Sequence, residues 1–224
     1  MYLVECMDIS KMSEGDFRKL WEFSEEDRVK RAKRYFCEED KKRCLMAGLL
    51  IKRLLQEHGC KVQNGVLCNP YGKPYVVNDD GLYFNVSHSG KWVVIASGET
   101  EIGVDVEKVC PVNAGVLEMC FTQAEAKYIQ KESGEEAIRF TKLWTLKESY
   151  VKYRGTGIGG QLKNLSFYET ERGFLMKEDS NVSFSTFMWD KHYALSICGR
   201  EKVFNPREIY CQDVLEKVKN KLER

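Results

Sequence analysis

This chain has no apolar run long enough to cross a bilayer. Its longest, such as "WVVIA", are about five residues, against the roughly 20 that a membrane helix needs. The opening "MYLVECMDIS" has neither a basic n-region nor a long apolar h-region, so no export signal is expected. Nine cysteines are present, and no two form a CxxC or CxH pair with metal-ligand spacing. An odd, scattered set of thiols fits a reducing compartment, so a cytoplasmic protein is expected. The formal net charge is only +1, which argues against a surface built for nucleic acid. No low-complexity linker interrupts the 224 residues, which could form one large domain or two of roughly 100 residues each.

The charge that is present is unevenly spread. From Arg28 to Arg53 there are ten Lys/Arg against three Asp/Glu, so this segment carries +7 and the remainder −6. A basic patch in a neutral protein points to a small anionic ligand. After a first strand "YLVECM", the short helices "SEGDFRKLWEF" and "SEEDRVKRAKRYF" have Ser13 and Ser24 placed as N-caps. In "EEDKKRCLMAGLLIKRLLQEHG", Leu45, Met46, Leu49, Leu50 and Leu54 recur at helical spacing, and Gly59 closes the helix. Strands "LYFNVSHS", "KWVVIAS" and "EIGVDVEKV" follow the turn "NPYGKPYV".

The second part repeats this order. Thr122 and Glu125 are spaced as a capping box, a long helix "EEAIRFTKLWTLKESYVKYRG" ends at Gly155, and strands "LSFYE", "GFLMKE", "NVSFSTFMW" and "HYALSIC" follow. Asn85-Val86-Ser87 and Asn181-Val182-Ser183 stand 96 residues apart, and Lys52 and Lys152 stand 100 apart. Such a repeat predicts an α+β fold of two pseudo-symmetric halves, each with helices on a mainly antiparallel sheet. The expected halves are 1–100, with the basic segment and the GKP and NVSHS motifs, and 101–224, with GVDVE and WTLKESYVK. "VCPVNAGV" is the expected boundary loop, and "CQDVLEKVKNKLER" an amphipathic helix packed on the body through Val214, Leu215, Val218 and Leu222.

The chemistry centres on "IGVDVEKV". Strand periodicity puts Asp105 and Glu107 on one face, where like charges repel unless a cation, donors or water intervene. On the second long helix Trp144, Glu148 and Lys152 share a face. Asp105, Glu107 and Glu148 could make a hard-oxygen site suited to Mg²⁺. They could equally be an edge-strand pair and an exposed Glu148–Lys152 ion pair. In "NVSHSG", Ser87 and His88 could contact a phosphate; a Ser-His nucleophile is disfavoured because adjacent strand residues point to opposite faces. Arg28, Arg31 and Arg43 could grip a phosphate or simply line a solvated helix face, and Lys73 of "YGKPY" could reach one.

In order, "RYFCEEDKKRCL", "GKPYV", "FNVSHSG", "IGVDVEKV", "FTQAE" and "LWTLKESYVKYRGTGI" resemble the Sfp-type 4′-phosphopantetheinyl transferases. The family pattern Gly-x-Asp-x-Glu followed by Trp-x-x-Lys-Glu-x-x-x-Lys stands here as Gly103, Asp105, Glu107, then Trp144, Lys147, Glu148 and Lys152. The resemblance implies a monomer with its active site in the cleft between the halves. It would move the phosphopantetheine arm of coenzyme A to a serine of an acyl or peptidyl carrier protein, releasing adenosine 3′,5′-bisphosphate. By position it implies Asp105, Glu107 and Glu148 as Mg²⁺ ligands, and Asp105, Glu148 and Lys152 as the catalytic set, with Glu148 as base and Lys152 also on the phosphate. Lys73 and Pro74 would lie by the adenine and its phosphates, and Ser87 and His88 by the phosphates. Arg28, Arg31, Arg43 and Cys44 would lie near the 3′-phosphate. Arg28 and Arg31 stand where lysines are common in the family, and Cys44 where small hydroxyl residues occur. The segment from Val112 to Phe121 is the expected carrier contact. Two other readings use the same residues: a Mg²⁺-dependent hydrolase of a nucleotide pyrophosphate, and a non-catalytic module binding coenzyme A or the carrier.

Overall fold

The segment Trp92–Gly98 (β5) is apolar at successive positions instead of alternating, because it is buried on both faces. In the computed structural model, which describes residues 2–60, 65–77, 81–157, 162–203 and 205–220, Val93 and Ile95 join the core of the first half. Val94 and Ala96 join a second cluster with Ile102, Val104, Val106, Leu195 and Ile197 of the other half. The two halves are therefore packed sheet on sheet through this shared core.

The first sheet has the order β11-β1-β5-β4, with β1 at Leu3–Asp8, β4 at Tyr83–Ser89 and β11 at Arg207–Ile209. The second has the order β6-β10-β9, with β6 at Ile102–Lys108, β9 at Ser183–Trp189 and β10 at Tyr193–Gly199. All pairings are antiparallel except β1 with β11. Glu5 lies opposite Ile95 in one sheet and Asp105 opposite Ser196 in the other, so β1 and β6 hold equivalent places in the repeat. Two small ribbons, β2 (Val66–Cys68) with β3 (Pro74–Val76) and β7 (Phe167–Thr170) with β8 (Gly173–Met176), complete the strands.

Each half has one long helix, α3 (Glu38–Glu57) and α6 (Glu136–Arg154). Acidic residues Glu38, Glu39 and Asp40 favour the positive end of α3. Gly59 and Gly155 close the two helices with φ of 70° and 63°, which glycine adopts without a Cβ clash. Ser13 caps α1 (Glu14–Phe23) in a capping box with Asp16. Ser24, expected to cap α2 (Glu26–Ala32), instead ends α1; it and Glu25 are both extended, so the helix begins one residue too late for its hydroxyl. "VCPVNAGV" is not wholly a loop, since Asn113 accepts from the Val116 N–H and starts α4 (Ala114–Cys120). The capping box of Thr122 and Glu125 opens α5 (Gln123–Ile129) as expected.

The end of the chain returns to the first half. Arg207 of β11 and Arg53 of α3 both donate to buried Glu5, and α7 (Cys211–Asn220) lays Val214, Leu215 and Val218 into the first-half core beside α1 and α3. Leu222 lies outside the described residues.

Gly103 decides how closely β6 can approach α6. A Cβ there would meet the Ser149 carbonyl oxygen at 2.0 Å and the Tyr153 nitrogen at 2.3 Å, both backbone atoms that cannot rotate away. Gly103→Ala is expected to cost about 3 kcal/mol or more by overpacking and to lower the melting temperature by roughly 5–10 °C. A thermal denaturation curve superimposable on that of the parent chain would refute this account.

Candidate active site

The site lies where β4 of the first half meets β6 and α6 of the second. Asp105 and Glu107 share a face of β6, as the strand period requires, and Glu148 and Lys152 face them from α6. Together with Ser87 and Trp144 they line a cavity of about 270 Å³. A second cavity of about 230 Å³, which shares Val86, Glu148 and Lys152, runs on to Tyr71, Lys73 and Pro74. A third, more apolar cavity of about 220 Å³ lies beyond Glu107 and Trp144, against Val116 and Phe140.

Asp105 is 2% exposed. Its Oδ1 accepts from Lys152 Nζ at 2.6 Å and from Ser87 Oγ at 2.8 Å. Ser87 Oγ also accepts from Lys152 at 3.0 Å and from the Val106 N–H at 3.3 Å, which saturates the hydroxyl. It therefore has no proton free for His88, and no Ser-His dyad is assembled. Asp105 Oδ2 and Glu148 Oε1 are buried without a hydrogen-bond partner. Burial and the nearby Asp105 charge push the Glu148 carboxyl up to about 7, against the opposing pull of Lys152. Glu107 is also raised by burial and by Asp105, while the Ser89 hydrogen bond opposes the shift.

His88 lines the same cavity as Ser87 and lies close enough to the basic segment to feel its charge. Partial desolvation lowers its pKa, and the charges of Arg43, Lys152 and Arg31 act in the same direction. Arg43 donates to the Gly90 carbonyl and to Asp40, and the Tyr35 side chain raises the pKa of Arg31. The stem of Arg28 lies on α3 at Gly48, where a Cβ would meet its Cγ at 2.8 Å.

A family model described as "4′-phosphopantetheinyl transferase, N-terminal" matches residues 11–100, and one described as "4′-phosphopantetheinyl transferase superfamily" matches residues 101–198. The chain belongs to the 4′-phosphopantetheinyl transferase superfamily. The 4′-phosphopantetheinyl transferase ffp of Bacillus subtilis is 28% identical over 205 residues, which cover 88% of this chain and 91% of that protein. The transferase Sfp of Bacillus subtilis strain 168 is 25% identical over 205 residues, with the same 88% and 91% coverage. The transferase gsp of Aneurinibacillus migulanus is 36% identical over 128 residues, covering 56% of this chain and 53% of that protein.

For a superfamily member, the residues singled out from the sequence come together unevenly. Asp105, Glu107, Glu148, Lys152, Ser87 and His88 line one cavity. Among the described residues, however, no three carboxylate, histidine or cysteine groups already stand as a metal cluster. Two of the three carboxylates keep an unpartnered buried oxygen, and Glu107 is held by Ser89 Oγ at 2.7 Å. This donor set suits a hard divalent cation, with side-chain adjustment needed to gather the third oxygen. Lys73 and Pro74 line the second cavity. The Lys73 ammonium, though, pairs with Glu101 and donates to the Tyr153 carbonyl at 3.0 Å, so it caps α6. Cys44 is 4% exposed in the first-half core.

Lys147 had no role read from the sequence beyond its place in the motif. It is fully buried, 3.0 Å from Glu125, and donates to the Leu162 carbonyl at 2.8 Å and to that of Leu165. Glu125 also closes the capping box and accepts from the Phe167 N–H. The spacing of Thr122 and Glu125 announced the cap, but nothing local announced the lysine across from it.

Glu148 fixes a pH dependence. Below about pH 4.5 its carboxyl is neutral in both folded and unfolded chains; between there and about 7 only the unfolded chain ionises, so stability is lost as pH rises across that window. In chelator, the melting temperature of Glu148→Gln is therefore expected to rise relative to that of the parent chain from pH 5 to pH 7.5. Parallel melting-temperature profiles for the two proteins would contradict the shift.

Proposed function

We propose that this chain transfers the 4′-phosphopantetheine arm of coenzyme A to a serine of an apo acyl or peptidyl carrier protein, releasing adenosine 3′,5′-bisphosphate. The observation that carries the reading is the cavity between the halves, where Asp105 Oδ2 and Glu148 Oε1 lie buried and unpartnered next to Lys152, in a member of this superfamily. Asp105, Glu107 and Glu148 would hold Mg²⁺, which when bound supplies positive charge to the pyrophosphate.

The remaining roles follow from where this chain's own groups stand. Lys152 would neutralise charge on the departing bisphosphate as the serine oxygen–phosphorus bond forms and the bond to the leaving oxygen breaks. Glu148 would accept the serine proton, directly or through water; its value of about 7 belongs to the metal-free cleft, and Mg²⁺ beside it would lower that value. Arg31, Arg43 and His88 form the basic side of the cleft and would receive the 3′-phosphate, with Arg28 and Cys44 behind them on α2 and α3. Pro74 and the aliphatic stem of Lys73 would flank the adenine, while Ser87 would stay by the phosphates. In this reading residues 1–100 chiefly bind coenzyme A and 101–224 carry the metal and the proton transfer. The carrier would dock beside α4, in the span from Val112 to Phe121. The protein would act as a cytoplasmic monomer, which is compatible with nine free cysteines and with no described helix long and apolar enough to cross a membrane.

Intact-mass measurement of an apo carrier incubated with coenzyme A, Mg²⁺ and this protein is expected to show the added arm. Glu148→Gln and Lys152→Met should each slow the addition by about 100-fold or more. Bisphosphate released equally fast without a carrier would instead mark a pyrophosphate hydrolase. Mg²⁺ is expected to raise the melting temperature of the parent chain and not of Asp105→Ala; an equal rise in both would remove Asp105 from the metal site.

A further inference from the structure

β6 is the edge of its sheet on the side facing β4, and its outward N–H groups need acceptors. No backbone ladder supplies them. Asn85, Ser87 and Ser89, alternate residues on one face of β4, supply them from side chains. Asn85 Oδ1 accepts from the Val104 N–H at 2.9 Å, Ser87 Oγ from Val106 at 3.3 Å, and Ser89 Oγ from Lys108 at 3.2 Å. Each serine hydroxyl still has a proton to give. Ser87 gives its own to Asp105 at 2.8 Å, and Ser89 gives its own to Glu107 at 2.7 Å. Asp105 has Lys152 as a second partner; among the described residues, Glu107 has no cation within ion-pair distance.

The repeat contains an internal control. Ser185, which by sheet register stands in the second half where Asn85 stands in the first, accepts from the Val203 N–H at 2.8 Å. There the residue before the capped N–H is Lys202, not a carboxylate. A serine can therefore cap a backbone N–H without orienting a carboxylate, whereas Ser89 performs both tasks.

We infer that Ser89 is a positioning residue for the transfer site: its hydroxyl, anchored on the β4–β6 seam, holds Glu107 in the orientation from which it joins Asp105 and Glu148 around Mg²⁺. This rests on the magnesium reading above. A charge-assisted hydrogen bond fixes a half-buried side chain that otherwise has several rotamers, so its loss should weaken the metal site without dismantling the fold.

The test is a Mg²⁺ titration of thermal stability with coenzyme A present and no carrier. Ser89→Ala should raise the midpoint Mg²⁺ concentration about tenfold, Ser89→Thr should restore it, and Ser185→Ala should leave it unchanged. In a Glu107→Gln background, Ser89→Ala should have no further effect. The inference fails if the parent chain responds to Mg²⁺ and Ser89→Ala keeps its midpoint within twofold. It fails equally if Ser185→Ala shifts the midpoint as far as Ser89→Ala, or if the two substitutions add in the Glu107→Gln background. A parent chain that shows no Mg²⁺ response overturns the magnesium reading itself, and this inference with it.

Discussion

Strand β6 has to satisfy neighbours on three sides at once, and the site depends on its doing so. One edge pairs with β10, the other is capped by side chains of β4, and Gly103 lets its backbone lie against α6. Its apolar residues Ile102, Val104 and Val106 fill the core shared by the halves. The alternation that buries them turns Asp105 and Glu107 the other way, into the cleft. A one-residue slip of this strand would exchange the two sets, so the register that stabilises the fold is the register that builds the site.

The electrostatics of the cleft are deliberately incomplete. Glu5, which occupies the place of Asp105 in the first half, is neutralised by Arg53 and Arg207 and takes no part in a cleft. Asp105 has one oxygen paired with Lys152 and one left over, and Glu148 also keeps a bare buried oxygen. Leaving buried carboxylate oxygens unpaired is costly in a folded protein. A pair of them converging with a lysine on one cavity is characteristic of a site completed by a ligand. The two matched lysines diverge in the same way: Lys52 binds Glu25 and the Phe23 carbonyl, whereas Lys152 faces the cleft.

Much of this was legible locally. Helical spacing located α3 and α6, their terminal glycines marked the ends, and the capping box of Thr122 and Glu125 opened α5. The matching order of elements exposed the duplication, although the strands repeat at an offset of 100, Asn85 corresponding to Ser185, and the 96-residue match of Asn85–Ser87 with Asn181–Ser183 is not the structural one. The period of two paired Asp105 with Glu107. Less was legible where partners are distant. Lys73 looked like a phosphate ligand from its turn, but its ammonium caps α6, a helix some eighty positions away. Asn85 and Ser89 had no role assigned from the sequence, yet with Ser87 they are the acceptors that join the halves. The Lys147–Glu125 pair was invisible because each residue fits its own helix without the other.

The sequence alone determined the long helices and the main strands, which of their faces are apolar, and which acidic and basic residues are candidates for chemistry, because these follow from local spacing and patterning. The tertiary structure decided which candidates share a cavity, which are consumed by structural contacts, and that the final strand and helix pack on the first half. Those outcomes depend on contacts between residues distant in the chain, from 18 positions for Ser87 and Asp105 to 202 for Glu5 and Arg207. They are selected by burial and hydrogen-bond satisfaction in the folded chain, and no local pattern records them.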